Sequence, residues 1–135
     1  MKRTFRALTC AALFAPTFSQ AAPAEASIND AQYASVLQGS WRAKENSTRD
    51  VYRHPQQTLK FFGLQANQTV IEITPGGGWY SELLAPLLKE RGHYIAALQA
   101  PSSGDYYQKA ADGLKQKFKA DPARHGTRTD TVIAV

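Results

Sequence analysis

Residues 69–84 read Thr-Val-Ile-Glu-Ile-Thr-Pro-Gly-Gly-Gly-Trp-Tyr-Ser-Glu-Leu-Leu. A β-branched run over 69–73 stops at Thr74-Pro75. Three glycines follow, Gly76 to Gly78, and an apolar helical pattern begins at once. The order is strand, glycine turn, helix. Such a turn leaves backbone N–H groups free at a helix N-terminus, where the helix dipole favours a negative group. Glycine there lets a ligand approach the backbone closely. Open α/β sheets hold nucleotide-like ligands at such turns, beyond the carboxyl ends of their strands.

The rest of the chain can be read around that junction. Lys2, Arg3 and Arg6 precede a short apolar run over residues 7–18, and Ser19-Gln20-Ala21 offers small residues for cleavage. Residues 1–21 therefore read as a secretory signal peptide, too short for a membrane span. Export, to a periplasm or out of the cell, is the expected localisation, with no membrane span after cleavage. Cleavage removes Cys10, the only cysteine, so no disulfide is expected. It also removes three of the basic residues behind the net charge of +5. No basic cluster interleaved with aromatics remains, so nucleic-acid binding is not indicated.

Residues 22–64 read as an N-terminal helical segment. Asn29 or Asp30 caps a helix to about Ala43, with Tyr33, Val36, Leu37 and Trp41 on one face. Residues 44–50 are polar and read as a loop. Pro55 suits the first turn of a second helix, with Leu59 and Phe62 inward and Gly63 as terminator. Residues 65–135 then alternate β-α-β-α-β. Strands are expected near 69–73, 94–98 and 131–135, parallel, with the first of them central. Pro86 lies inside the helix over 79–90 and cannot donate to the Glu82 carbonyl, so a bend is expected there. Ser103 is the expected cap of the last helix, whose buried side is Tyr107, Ala111, Leu114 and Phe118. The chain ends on a strand-like run, Thr131 to Val135. The fold class expected is α/β: a Rossmann-like parallel sheet with covering helices, truncated after its third strand.

The glycines sort among known turn types. A dinucleotide fingerprint needs Gly-x-Gly-x-x-Gly, and Ser81 stands where its third glycine belongs. A phosphate loop needs Gly-Lys-Ser/Thr, which is absent. The run Val70-Ile71-Glu72-Ile73-Thr74-Pro75-Gly76-Gly77-Gly78 instead resembles the first motif of class I S-adenosylmethionine-dependent methyltransferases. Thr74 stands at that motif's first glycine; Gly76 and Gly78 match the other two. Over roughly residues 40–100 the chain is also similar to a group of exported bacterial predicted methyltransferases. Arg49-Asp50-Val51-Tyr52-Arg53-His54-Pro55, Pro75-Gly76-Gly77-Gly78-Trp79-Tyr80 and Leu84-Ala85-Pro86 carry that similarity.

The resemblance implies S-adenosylmethionine as cofactor, with Glu72, Thr74, Gly76, Gly77 and Gly78 on its methionine side. It implies an acid at the end of the second strand for the ribose hydroxyls. Leu98-Gln99 occupies that place, so Gln99, or Asp105 reaching back, is the candidate. A structural role for Glu72, paired with Arg49 or Arg53, is the competing reading. His54 reads as a helix cap beside Pro55 or a base toward substrate. Trp79 and Tyr80 read as pocket lining or packing. The histidines are scattered, and no metal site is indicated.

These readings converge on the cofactor-binding half of a methyltransferase with an unknown acceptor and no assigned catalytic residue. The alternative is an exported, non-catalytic Rossmann-like relic or small-ligand binding module. Neither reading fixes an oligomeric state.

Overall fold

A computed structural model of the chain describes residues 26–125 and 129–134. The leader over 1–21 lies outside the described residues. Asn29 caps α1 (Asp30–Leu37) and forms a capping box with Gln32. Two single-turn helices follow, α2 (Lys44–Ser47), within the 44–50 segment that the sequence predicts as a loop, and α3 (Asp50–Arg53), which starts at its end. Their stability is tertiary. Asn46 is buried, and its backbone carbonyl accepts from the Trp79 indole at 3.0 Å. The α1 helix ends six residues short of Ala43, and Trp41 packs against the core from outside it. Pro55 opens α4 (Pro55–Phe61), as its fixed φ and missing N–H suggest. Leu59 is buried, but Phe62 is exposed, contrary to its helical-face assignment. The helix ends at Phe61, so Phe62 leaves the periodic face.

The sheet is parallel throughout: β1 (Thr69–Ile73), β2 (His93–Gln99) and β3 (Thr129–Ala134) lie in the order β1-β2-β3. Thr69 pairs with His93 and Ile73 with Ala97; Tyr94 pairs with Thr129. The Thr69 strand is thus not central. Among the described residues it is an edge, and β2 takes the middle. The reason is the crossovers. Tyr94 on β2 bonds to Ser81 of α5 (Ser81–Leu88) and meets Phe118 of α6 (Asp105–Ala120), so both helices cover one face. Two successive crossovers over the same face step the chain in one direction. Gly104, not Ser103, is the N-cap of α6, and a 3-10 turn fills Pro101–Ser103. A short helix, α7 (Pro122–His125), precedes β3.

The core lies between that face and the helices. Tyr33 and Val36 of α1, Leu59 of α4, Leu83 and Leu88 of α5, Tyr94 and Leu98 of β2, and Leu114 of α6 form one cluster. The helical segment and the α/β part therefore share a core. In α5 every residue but Pro86 is buried. The Glu82 carbonyl that Pro86 cannot serve accepts from the Trp41 indole at 3.0 Å. A helix defect visible in the sequence is closed by a side chain far away in it, which satisfies a carbonyl that burial would otherwise penalise.

Candidate functional site

The carboxyl end of β1 turns sharply at Thr74, whose φ is +55°. A β-branched residue strains in that left-handed region. The backbone here asks for glycine. Thr74 still donates its N–H to Ala97 on β2 at 2.9 Å, which ties the turn to the sheet. The three glycines then differ. Gly78 has φ +80°, and a Cβ on it would sit 3.2 Å from Leu114 Cδ1. Its preference for glycine therefore already has a cause within the protein. Gly76 also has positive φ, but Gly76 and Gly77 have no atom within 4 Å of a built Cβ. Among the described residues their N–H groups have no hydrogen-bond acceptor, while the Gly77 carbonyl accepts from Asn46 Nδ2 at 3.4 Å. The glycine turn thus presents an open backbone surface at Gly76 and Gly77 and a packed one at Gly78.

That open surface forms the floor of a cavity of about 750 Å³. Glu72, Thr74, Gly76 and Gly77 line it, with Trp79 and Tyr80 from the turn and Arg49 and Arg53 from the α3 side. Its volume falls in the range of cofactor and ligand sites. A second cavity, about 800 Å³, lies between α1, α5 and α7 and contains none of the glycine turn. Gln99 at the end of β2 is exposed and does not line the first cavity; neither does Asp105. His54 lies on a smaller, separate surface hollow and is the left-handed N-cap of α4, with no side-chain capping bond.

Glu72 is held by hydroxyls rather than by cations. Ser81 Oγ donates to Glu72 Oε2 at 3.0 Å, and the Tyr94 hydroxyl donates to the same oxygen. Ser81 Oγ and Tyr94 OH are themselves 2.7 Å apart. The expected alternative, an ion pair with Arg49 or Arg53, is not formed. Burial pushes the Glu72 carboxyl above its ordinary value, and the two hydroxyl bonds pull partly against that shift. Burial first, and then the neighbouring carboxylate, push the Tyr94 phenol far up. Both bonds fall on Oε2, so a ligand in the cavity would meet a carboxylate already fixed in direction, whose Oε1 has no hydrogen bond among the described residues.

A cluster missed by the sequence reading supports the turn from behind. Glu82, buried, forms an ion pair with Lys117 of α6 and accepts from the Ala43 N–H at 3.2 Å. Its other oxygen faces Arg42 Nε at 3.8 Å. Those two facing atoms are buried without a hydrogen-bond partner. Arg42 forms a two-pronged pair with Asp50, and Asp50 Oδ1 accepts from the Trp79 indole at 3.0 Å. The Arg53 guanidinium lies over the Trp79 ring, 4.9 Å from its centroid. These contacts join α2, α3, the turn and α6. The sequence signal was slight: Glu82 sits on the apolar face of a short helix, where a charge needs a partner.

Among the described residues no group of three His, Cys, Asp or Glu could hold a metal ion, and no helix is long and apolar enough to cross a membrane. Comparison with protein-family models, with curated proteins and with solved structures returned no match.

Proposed function

We propose that this chain carries the S-adenosylmethionine-binding half of a Rossmann-like methyltransferase. The observation that carries the reading is the open backbone at Gly76 and Gly77, at the carboxyl end of a parallel strand and in one cavity with Glu72. Backbone donors without acceptors in the turn that leads into α5 suit the carboxylate of the cofactor's methionine part. Glu72 suits its ammonium or sulfonium side, since a positive group there would offset the burial that disfavours the carboxylate. Arg49 and Arg53 line the same cavity and supply positive charge to it. When bound, the cofactor supplies an already activated methyl group, so the protein's task is alignment and the exclusion of water. The Ser81–Tyr94 pair fixes Glu72; Asn46 and Trp79 fix the turn. The leader places the protein outside the cytoplasm in this reading, and the acceptor is unassigned.

The second reading, a binding module without catalysis, draws on one observation. The second-strand position that should hold the ribose presents Gln99, exposed and outside the cavity. Calorimetric titration of the purified protein with S-adenosylhomocysteine tests what both share. One saturable site, weakened by about 1–3 kcal/mol in Glu72→Ala, is expected. No heat of binding at millimolar ligand would overturn the cofactor reading. Binding without methyl transfer to any acceptor would favour the second.

A further inference from the structure

We propose that Glu72, Ser81 and Tyr94 share a third proton in the unliganded protein, and that this proton leaves when a cationic group of a ligand reaches Glu72. Counting hydrogens gives the first reason. Ser81 Oγ lies 3.0 Å from Glu72 Oε2, the Tyr94 hydroxyl is within hydrogen-bond reach of the same oxygen, and the two hydroxyls lie 2.7 Å apart. Three oxygens thus make three contacts, while each hydroxyl carries one hydrogen. With Glu72 ionised, both hydrogens go to Oε2, and the Ser81–Tyr94 contact sets two oxygens together with no hydrogen between them. A proton on Oε2 lets every contact carry one. Glu72 donates to one hydroxyl, that hydroxyl to the other, and the last back to Glu72.

The surroundings give the second reason. Ser81 and Tyr94 are each 1% exposed, so water does not supply the missing hydrogen. Among the described residues no cation takes its place. On α5, the neighbouring Glu82 is turned to Lys117 and Arg42. From α6, Phe118 meets the Tyr94 ring. Arg49 and Arg53 line the cavity without pairing with Glu72, and Arg53 lies over the Trp79 ring. Lys60 of α4 pairs with Asp30, and Tyr80 is the other phenol on the cavity wall. Burial acts in the same direction, because it disfavours the carboxylate. A ligand ammonium beside Glu72 reverses these conditions. It replaces the proton as the positive partner, the proton passes to solvent, and the charge at the cluster is unchanged. The identity of that cation, the ammonium of the methionine part, rests on the cofactor reading; the shared proton is set by three side chains of the protein alone.

Two measurements on the purified protein test this. Without ligand, the Glu72 carboxyl carbon followed by NMR should titrate above the ordinary 4.5. Ser81→Ala breaks the ring. The protonated state then loses two of its three contacts and the ionised state only one bond, so the Glu72 titration should fall. A rise would mark Ser81 as a plain donor to a carboxylate and overturn the proposal. With ligand, calorimetric titration with S-adenosylhomocysteine is repeated in buffers of different ionisation enthalpy. Between pH 4.5 and the folded-state midpoint of Glu72, release of about one proton per ligand is expected, vanishing at higher pH. Only the ionised fraction accepts the cation, so affinity should weaken by about tenfold for each pH unit below that midpoint. Glu72→Gln keeps a hydrogen for the third contact and removes the charge; proton release and pH dependence should both disappear in it. Binding without proton release in that window, or Glu72 titrating at its ordinary value, would overturn the proposal and leave the cofactor reading standing. Absence of S-adenosylhomocysteine binding would overturn the cofactor reading and the release with it, while the NMR titration still decides the shared proton.

Discussion

Glu72 and Glu82 stand on either side of the same glycine turn and live under opposite conditions. Glu82 is sealed beneath α5, with Lys117 as its ion-pair partner and Arg42 beside it. Glu72 lines an open cavity and is held only by the Ser81 and Tyr94 hydroxyls. A buried carboxylate among cations is a structural joint: removing it strands the cations. A carboxylate fixed by neutral donors beside free backbone N–H groups is poorly compensated until something else arrives. The difference separates the acid that holds the turn in place from the acid suited to a ligand.

The largest expected effect follows from the sealed side. Glu82→Ala leaves Arg42 and Lys117 facing a buried void and should cost about 3–5 kcal/mol in denaturant unfolding. A loss under about 1 kcal/mol, the scale of a surface pair, would erase the distinction between the two acids.

Glu72 should respond to pH instead. Its carboxyl titrates above its ordinary value of 4.5 in the folded state, so the native protein holds this proton more tightly than the unfolded chain. That contribution is fully present below the ordinary value and is lost as pH rises through the folded one. Glu72→Gln should therefore flatten the fall in stability over that window, measured as denaturation midpoints against pH. A variant whose pH profile overlays the parent's would show that Glu72 is not the group that burial disfavours. A smaller effect is expected at Thr74. Thr74→Gly removes a strained left-handed conformation and adds chain entropy to the unfolded state, so a net gain of about 0.5–1 kcal/mol is expected in thermal unfolding. A loss would mean that the threonine side chain does more than occupy a glycine position.

The contrast also explains what could be read in the chain. The strand, the glycine turn and the helix were legible because each is local: β-branched residues, consecutive glycines and helical spacing need no distant partner; the parallel pairing followed from the alternation of strands and helices. Pro86 was legible as a defect, but its repair by Trp41 was not. The short helix α2 within the expected loop over 44–50 was missed because Asn46 and Asp50 are held by the distant Trp79 indole, a contact no window of sequence contains. The edge position of β1 was missed for a related reason. Alternation predicts parallel strands, but their order depends on which face each crossover takes. Glycine identity was legible at all three positions; the cause was not. Gly78 is required by its own backbone and by Leu114, whereas Gly77 has neither constraint.

That last difference gives the most direct test of the central claim, that the open backbone at Gly76 and Gly77 is a cofactor surface. The measurement is S-adenosylhomocysteine affinity by calorimetry for Gly77→Ala, with its thermal midpoint read on the same sample. A methyl group at Gly77 meets no protein atom and restricts the unfolded chain, so the midpoint should hold or rise slightly while affinity falls by about tenfold or more, roughly 1.4 kcal/mol. Unchanged affinity in a folded Gly77→Ala protein would contradict the claim and leave the glycines as a structural turn.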